Sequence, residues 1–240
     1  MPFPLEEINL DYEVVGESKS KPDEVDVLLA ASRSDDVDIR VAALEMGGLT
    51  ASIVDVEEFV LENVFSFLKK NNNDILDTGV IGVMDIGSTT STLSVFENNS
   101  LLYSRDQNFG GRRLIDDIRR RYNFSHEQAV SSRTKKTLPP DYETEILEPF
   151  KESTAQEVIR ALQFFHSSSE VVTLDQILLA GGCASIDGMA EKIEIACHTP
   201  TSVVAPLQST NLATRINPEA AANDAPALLT ALGLAMRSFD

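Results

Sequence analysis

The feature that most restricts the fold is an apolar segment, residues 79–85 (GVIGVMD), that runs into a short polar turn, Ile86–Thr90. A second β-type segment, Ser91–Phe96, follows this turn. Another turn, Glu97–Ser100, precedes a third such segment, Leu101–Gln107. Short β-type segments joined by tight polar turns predict an antiparallel meander. A sheet built around this hairpin is therefore the expected centre of the fold.

The turn between the first two segments has the composition of an anion-binding loop. Gly87 lets the backbone approach a ligand closely, and the N–H groups of such a turn can surround a phosphate. The hydroxyl groups of Ser88, Thr89 and Thr90 supply further donors. Asp85 could hold Mg²⁺ through water molecules, which Mg²⁺ retains in phosphate sites. A plain Ser/Thr-rich hairpin with a capping aspartate stays open as the alternative.

Two other nucleotide-binding signatures are absent from the sequence. It contains no GxxxxGK[ST] loop and no GxGxxG fingerprint. A P-loop enzyme and a dinucleotide-binding fold are therefore not indicated.

A second turn of small residues follows the apolar segment Gln176–Ala180. Gly181 and Gly182 come directly after this strand, and Ala184 follows one residue later. Without side chains at the glycines, a flat ring or a ribose could lie against the backbone. A strand-to-helix turn that is merely tightly packed is the plainer interpretation of this segment taken alone.

Apolar spacing, capping residues and glycines predict the remaining elements. Met1–Gly16 has an extended, alternating pattern. The predicted strands besides those above are Val25–Ala31 (a buried strand), Leu49–Asp55 and Thr201–Val204. The predicted helices are Asp35–Met46 (capped by Ser34 and ended by Gly47 and Gly48), Val56–Lys70, Arg112–Tyr122, Ser125–Arg133 (capped by Ser125), Lys151–His166, Gly188–Cys197 and Ala225–Met236. Gln208–Asp224 is predicted to be a loop. The polar tract Asn71–Thr78 predicts a domain border near residue 77.

Composition excludes several classes of function. The net charge of −18 argues against nucleic acid as the main ligand and against direct binding to anionic lipid. The N-terminal sequence lacks a signal-peptide pattern, and the apolar runs are too short to span a bilayer. Cys183 and Cys197 lie in no paired metal or redox motif, as expected of reduced thiols. A cytoplasmic protein that reaches a membrane only through partners is expected.

The order of the two turns resembles that in the superfamily of actin, the sugar kinases and FtsA. There a first hairpin turn holds phosphates, and a later strand–GG turn contacts adenosine. Other stretches narrow the resemblance to the PilM family of type IV pilus assembly proteins. These stretches are residues 3–11 (FPLEEINLD), 25–31 (VDVLLAA), 48–49 (GL), 54–57 (VDVE), 109–111 (FGG), 178–184 (LLAGGCA) and 186–188 (IDG).

The resemblance implies an α/β, actin-like ATPase fold. Residues 78–240 would form its ribonuclease-H-like second lobe, and residues 1–77 would be part of a small inserted α+β domain. The superfamily carries an earlier phosphate loop, and no Asp-x-Gly-x-Ser/Thr turn precedes Asp85 here. The chain is therefore expected to lack its N-terminal lobe.

The resemblance also implies a set of ligand contacts for ATP and Mg²⁺. The phosphate motif matches Asp85, Gly87, Ser88, Thr89 and Thr90, with Asp85 as the metal-side residue. The adenosine motif matches Gly181, Gly182 and Ala184. Glu157 and Arg160 lie on the long helix where ribose or base contacts are often placed, and three residues of separation puts them on one helix face. A surface salt bridge is the favoured interpretation of that pair.

The function implied is that of a cytoplasmic ATP-binding scaffold of pilus assembly and twitching motility. It would sit beside the inner membrane, bind the cytoplasmic tail of PilN together with other pilus assembly proteins, and show weak ATPase activity or none. Alternatives are an active ATPase or kinase of the same superfamily, with Gln107 or Glu157 positioning water, a cell-division scaffold similar to FtsA, and a type II secretion scaffold.

One further feature is a local reversal of charge. Eight basic residues lie in one stretch: Arg112, Arg113, Arg119, Arg120, Arg121, Arg133, Lys135 and Lys136. A solvated helix face is the favoured interpretation, and nucleotide phosphates, an acidic partner or a neighbouring subunit are alternatives.

Overall fold

The computed structural model describes residues 4–18, 21, 23–72, 75–76, 78–169, 173–208 and 210–237. The first three residues of the predicted extended opening, and Asp77 at the predicted border, lie outside them. The described chain forms two compact units, residues 4–56 and residues 57–237. We call them the N-terminal unit and the C-terminal unit.

In the described part of the N-terminal unit, a short 3₁₀ helix (Leu5–Glu7) precedes a hairpin and an α-helix. Strands β1 (Ile8–Glu17) and β2 (Val25–Arg33) pair antiparallel, and β2 leads directly into helix α1 (Ser34–Met46). The helix prediction is confirmed, but the predicted cap is displaced: Arg33 is the N-cap residue, without a capping side chain, and Ser34 is already helical. Gly48, with φ of 75°, takes the left-handed conformation just after the helix, as glycine does at helix ends.

Two predictions for this unit are wrong. The strand predicted as buried forms, but its side chains are mostly exposed, because a two-stranded sheet supplies a single neighbour. The strand predicted over Leu49–Asp55 does not form, and the chain there is irregular. No described residue between 4 and 56 is buried.

The C-terminal unit is built on a five-stranded mixed sheet. Its strands are β3 (Val80–Ile86), β4 (Ser91–Glu97), β5 (Ser100–Gln107), β6 (Gln176–Ala180) and β7 (Thr201–Val203). The order across the sheet is β5-β4-β3-β6-β7. The first three pair antiparallel, which confirms the predicted meander, and β6 joins β3 in parallel. Strand β3 is thus central.

Helices cover both faces of this sheet. Their bounds are α2 (Glu57–Asn71), α3 (Arg112–Tyr122), α4 (His126–Thr134), α5 (Glu148–Ser168), α6 (Met189–Cys197), α7 (Pro218–Asp224) and α8 (Leu229–Ala235). Alternate residues of β3 serve the two faces: Met84 and Ile86 pack with α3, α5 and α6, whereas Ile81 and Val83 pack with α2 and α8. The result is a three-layer unit with two hydrophobic cores.

Glycine allows close contact between α2 and α8. A Cβ on Gly233 would lie 2.6 Å from Val60 Cγ1 and 2.7 Å from the Val60 carbonyl oxygen. A side chain at this position would therefore push the two helices apart. This helix begins later than predicted, since Ala225–Leu228 forms a 3₁₀ turn first.

Two boundaries differ from those predicted. The units divide after Val56 rather than near residue 77, because the apolar face of α2 packs into the core of the second unit. The assignment of residues 1–77 to a small inserted domain stays a prediction. The loop predicted over Gln208–Asp224 contains α7, whose N-cap Asn217 accepts hydrogen bonds from the N–H groups of Glu219 and Ala220 (2.9 and 3.2 Å).

Among the helices of the described residues, none combines the length and apolarity needed to cross a bilayer. The two cysteines are free thiols, as predicted.

Candidate functional site

The two turns singled out from the sequence meet at one edge of the sheet. Strands β3 and β6 run parallel, and Asp85 lies opposite Ala180 in their register. The turn after β3, Gly87–Thr90, and the turn after β6, Gly181–Ala184, therefore leave the sheet side by side. We call them the phosphate turn and the adenosine turn. Ligands of α/β sheets commonly bind beyond the carboxyl ends of parallel strands.

Hydrogen bonds fix the phosphate turn while leaving its donors available. The Gly87 N–H donates to the Thr90 carbonyl (3.0 Å). The carbonyls of Gly87 and Ser88 accept from the N–H groups of Gly111 (2.9 Å) and Arg112 (2.8 Å). Within the described residues, the N–H groups of Ser88, Thr89 and Thr90 donate to no other residue. Three free donors in a fixed turn form a cradle for an anion.

The loop before α3 holds this turn from the other side. A Cβ on Gly110 would clash with the Ser88 carbonyl group, so only glycine fits there. The Ser91 hydroxyl, fully buried, donates to the Phe109 carbonyl (2.8 Å). In the sequence, residues 109–111 are marked only by their resemblance to the PilM family. Their structural task is to buttress the phosphate turn.

Gly181 lies against the end of β3, directly before the phosphate turn. Its φ is 85°, and an added Cβ would lie 2.5 Å from both Asp85 Oδ1 and the Ile86 carbonyl oxygen. Its N–H donates to the Pro226 carbonyl (2.8 Å), which ties the turn to the segment before α8. Gly182, by contrast, is exposed with open space around it, and Ala184 is buried. Gly181 therefore joins the turns, and Gly182 offers a bare backbone surface.

The carboxylate of Asp85 lies in an unfavourable place for a charge. Burial and the nearby charge of Glu57 raise its pKa from 3.8 to about 6. Glu57, at the start of α2, accepts a hydrogen bond from the Thr230 hydroxyl (3.2 Å). A divalent cation would favour the ionised form of Asp85, and the nearby Glu57 carboxylate adds a second negative charge, so the two together fit Mg²⁺ better than a lone aspartate does. Glu57 was not predicted from the sequence, because only the fold brings α2 to the end of β3.

A cavity of about 550 Å³ adjoins the adenosine turn, and we call it the inner cavity. Its lining comes from the residues directly after that turn, from the end of α4 and from the segment before α5. These lining residues are Arg133, Thr134, Lys136, Leu138, Tyr142, Glu143, Leu147, Ser185, Ile186, Asp187 and Asn223. Four of these side chains are apolar or aromatic, and the other seven are polar or charged, so the cavity offers both a surface for a flat ring and partners for polar ligand groups.

Arg133 links the inner cavity to the two turns. Burial raises the pKa of the Cys183 thiol, while the charge of Arg133 lowers it and that of Asp85 raises it. Cys183 thus lies within electrostatic reach of both the cavity and the phosphate turn. Its Sγ would also lie 2.7 Å from a Cβ on Gly111. Arg133 was predicted only as part of a basic run, since its spatial neighbours are distant in sequence.

Glu157 and Arg160 lie outside the inner cavity. Arg160 Nη1 bonds both carboxylate oxygens of Glu157 (2.9 and 2.8 Å), so the favoured surface salt bridge is confirmed. Glu157 lines a cleft of about 840 Å³ together with Ser88 and Thr89. Neither Glu157 nor Arg160 lines the inner cavity.

That second cavity runs along helix α3, and we call it the basic cleft. Its lining residues are Ser88, Thr89, Asn108, Phe109, Gly110, Arg112, Arg113, Asp116, Arg119, Arg120, Asn123, Phe124 and Glu157. The buried amide nitrogen of Gln107, which precedes this lining in sequence, has no hydrogen-bond partner among the described residues.

Comparison with known proteins gives one family and several related folds. The sequence profile of the family "Type IV pilus assembly protein PilM" matches residues 1–239. A solved "PilM-PilN type IV pilus biogenesis complex" matches with a TM-score of 0.77 and 25% identity, over 99% of this chain and 68% of that one.

Two more distant structures share the fold. The ethanolamine utilization protein EutJ from Carboxydothermus hydrogenoformans matches with a TM-score of 0.58 and 17% identity, over 86% of this chain and 62% of that one. MreB 5 of Spiroplasma citri, bound to AMPPNP, matches with a TM-score of 0.52 and 16% identity, over 85% of this chain and 64% of that one. The predicted actin-like fold is confirmed.

Proposed function

The chain belongs to the type IV pilus assembly protein PilM family, and from this premise we propose that it is an ATP-binding, actin-like scaffold of pilus assembly. The observation that carries the proposal is the meeting of the phosphate turn and the adenosine turn at one sheet edge, beside a cavity large enough for a nucleoside. The scaffold would act in the cytoplasm and reach the inner membrane only through partners.

The proposed nucleotide contacts follow from the site. The free N–H groups and hydroxyls of Ser88, Thr89 and Thr90 bind phosphate oxygens beside Gly87. Asp85, supported by Glu57, holds Mg²⁺ through water. The adenosine lies over Gly182 and enters the inner cavity, where Arg133 faces the sugar or phosphate side.

Calorimetry with MgATP tests this assignment. Wild-type chain should bind, and Asp85→Ala and Thr89→Ala should each weaken binding about tenfold or more, because each removes a contact to the charged phosphate–metal group. Asp38→Ala, an exposed carboxylate of α1, is the matched control and should bind as wild type does. Equal affinity of wild type, Asp85→Ala and Thr89→Ala would reduce the phosphate turn to an ordinary hairpin.

We also propose that the nucleotide sets conformation more than it supports turnover. In a phosphate-release assay with saturating MgATP, hydrolysis should then be slow or undetectable while binding persists. Rapid release that depends on Gln107 or Glu157 would favour the alternative of an active enzyme.

The proposed protein partner is the cytoplasmic tail of PilN, the protein present in the matched complex. The N-terminal unit offers a place for such a peptide, because its two-stranded sheet leaves the outer edges of β1 and β2 unpaired among the described residues. An added strand could gain main-chain hydrogen bonds there and cover apolar side chains. Fluorescence anisotropy with a labelled peptide of the PilN cytoplasmic tail tests this. Tyr12→Lys should weaken binding, whereas Leu234→Lys, on α8, should not.

A further inference from the structure

The basic cleft carries more positive charge than its neighbours balance. Four arginines of α3 line it: Arg112, Arg113, Arg119 and Arg120. Asp116 is shared between Arg112 (3.9 Å) and Arg119 (2.9 Å), and Asp117 pairs with Arg120. Glu157 is already bound by Arg160. Four guanidinium groups therefore face two available carboxylates.

Arg113 is the clearest unpaired cation of the cleft. It forms no ion pair within the part of the chain that the structure describes, and its nearest recorded partner is the Phe109 ring, 5.8 Å from the guanidinium carbon. The side chain is exposed. A cation in this setting can accept a carboxylate without losing an existing partner.

The floor of the cleft is partly apolar and rigid. Phe109 is buried and stacks on Phe150, with ring centroids 5.9 Å apart. Phe124 is partly buried and packs against the core. The amides of Asn108 and Asn123 stand at the same surface and can bond a peptide backbone. Rings, amides and guanidinium groups together fit a short peptide better than they fit a bare ion.

We propose that the basic cleft docks an acidic segment of a partner protein, with at least two carboxylates flanking an apolar side chain. The carboxylates pair with Arg113 and with the arginines that share Asp116, and the apolar side chain covers Phe109. In a chain of net charge −18, an acidic segment is repelled from most of the surface, so this local reversal steers it to one place. The same net charge disfavours nucleic acid there.

The cleft begins at Ser88 and Thr89, so phosphate must be distinguished from carboxylate. The probe is a fluorescein-labelled peptide of sequence EEFEE, titrated with the chain at low salt and followed by anisotropy. Inorganic triphosphate is the competitor. Binding should weaken as salt is raised, as expected of exposed charges.

Two double variants that change the net charge equally distinguish binding in the cleft from a general effect of the protein's charge on peptide affinity. Arg113→Glu with Arg119→Glu should lower peptide affinity about tenfold or more. Arg40→Glu with Arg215→Glu, two exposed arginines outside the cleft, should change it less than about twofold. Circular dichroism melting confirms folding, and Arg113→Gln with Arg119→Gln replaces the first pair if charge reversal prevents folding.

Three results would overturn the proposal: no binding by wild type, equal losses in the two double variants, or displacement of the peptide by triphosphate with loss of triphosphate binding in the cleft variant. The last result would make the cleft part of the nucleotide site. The result of this peptide titration is independent of the MgATP calorimetry, which depends on the Asp85→Ala and Thr89→Ala variants.

Discussion

The two units of the chain carry similar apolar segments but use them differently. Strand β2 contains VDVLLAA and β6 contains QILLA, and both sequences suggest a buried strand. Strand β6 is buried at all five positions, since β3 and β7 flank it and helices cover both faces. Strand β2 has one neighbour, and Leu29 remains 49% exposed. Burial is decided by the number of covering layers, which a local segment does not encode.

Several exposed apolar residues of the N-terminal unit lie on the same face of its two-stranded sheet. Leu10, Tyr12 and Val14 of β1 lie opposite Ala31, Leu29 and Val27 of β2, so they share one face. The unit thus presents a continuous apolar surface, whereas the C-terminal unit turns such residues inward. A two-stranded sheet whose apolar face is not packed against other elements has marginal stability in water.

The largest expected difference between the units is in amide hydrogen exchange. Amides of β3 and β6 should be protected about 10⁴-fold more than those of β1 and β2, because opening the central sheet requires unfolding both cores. Exchange followed by mass spectrometry on peptic peptides measures this. Similar protection in both units would contradict the view that the N-terminal hairpin lacks its own core.

Glycine substitutions sharpen the comparison at single positions. Gly181→Val should destabilise the C-terminal unit by about 3–5 kcal/mol, because it combines a positive φ with a clash against Asp85 and Ile86. Gly182→Ala, in open space, should change stability by less than about 0.5 kcal/mol. Gly48→Ala, in the N-terminal unit, meets no atom but keeps φ at 75°, so about 1 kcal/mol is expected.

Urea denaturation of the three variants gives these values. If Gly181→Val and Gly182→Ala behaved alike, the close contact between the two turns would be in doubt.

Much of the C-terminal fold could be predicted because its signals are local. Arg112–Tyr122 and Gln176–Ala180 form with the predicted bounds, and Ser125 caps α4 through a reciprocal bond with Gln128, as a capping box requires. Helix α7 was missed although Asn217 and Pro218 are a cap and a first-turn proline. There the signal was present but was interpreted as a loop.

The candidate site could be predicted only in part, for a physical reason. The phosphate and adenosine turns are contiguous in sequence, and glycines mark them. Glu57 and Arg133 come from separate elements, and only the packing of α2 and α4 in the folded unit brings them near the turns. For Glu157 and Arg160, the helical spacing predicted the salt bridge that forms, but it could not indicate that Glu157 borders the basic cleft.

Core truncations form the next test of the comparison. Leu93→Ala, at a fully buried position of β4, should lower the free energy of unfolding by about 3 kcal/mol, through lost burial and a residual cavity. Leu29→Ala, in β2, should cost less than about 1 kcal/mol because half of its surface already meets water. Thermal and urea unfolding measure both, and equal costs would show that the N-terminal sheet has an unrecognised cover in solution.

The pH dependence of stability should separate the units as well. The folded pKa of Asp85, about 6, exceeds its ordinary value of 3.8, so the folded state binds this proton more tightly than the unfolded state does. The contribution of protonated Asp85 to the free energy of unfolding is fully present below about pH 4 and is lost as the pH rises through 6. Asp85→Asn should therefore stabilise the chain by about 3 kcal/mol at pH 8 relative to its effect near pH 4.

The control for this titration is Asp38→Asn, in the exposed surface of α1. Glu57→Gln should shift the Asp85 curve to lower pH, since it removes the second cause of the raised pKa. A flat curve for Asp85→Asn would remove the argument for a strained carboxylate pair.

The smallest expected effects are those of exposed ion pairs, one in each unit. Lys21 and Glu24 pair at 3.1 Å with both side chains well exposed, whereas Arg160 and Glu157 pair at 2.8 Å with Glu157 only 16% exposed. Double-mutant cycles to alanine should give a coupling near zero for the first pair and about 0.5 kcal/mol for the second. The second value should fall at high salt less than a fully exposed pair would, because partial burial limits screening. A larger coupling in the N-terminal pair would reverse the ranking of the two units and show that burial does not order their interactions.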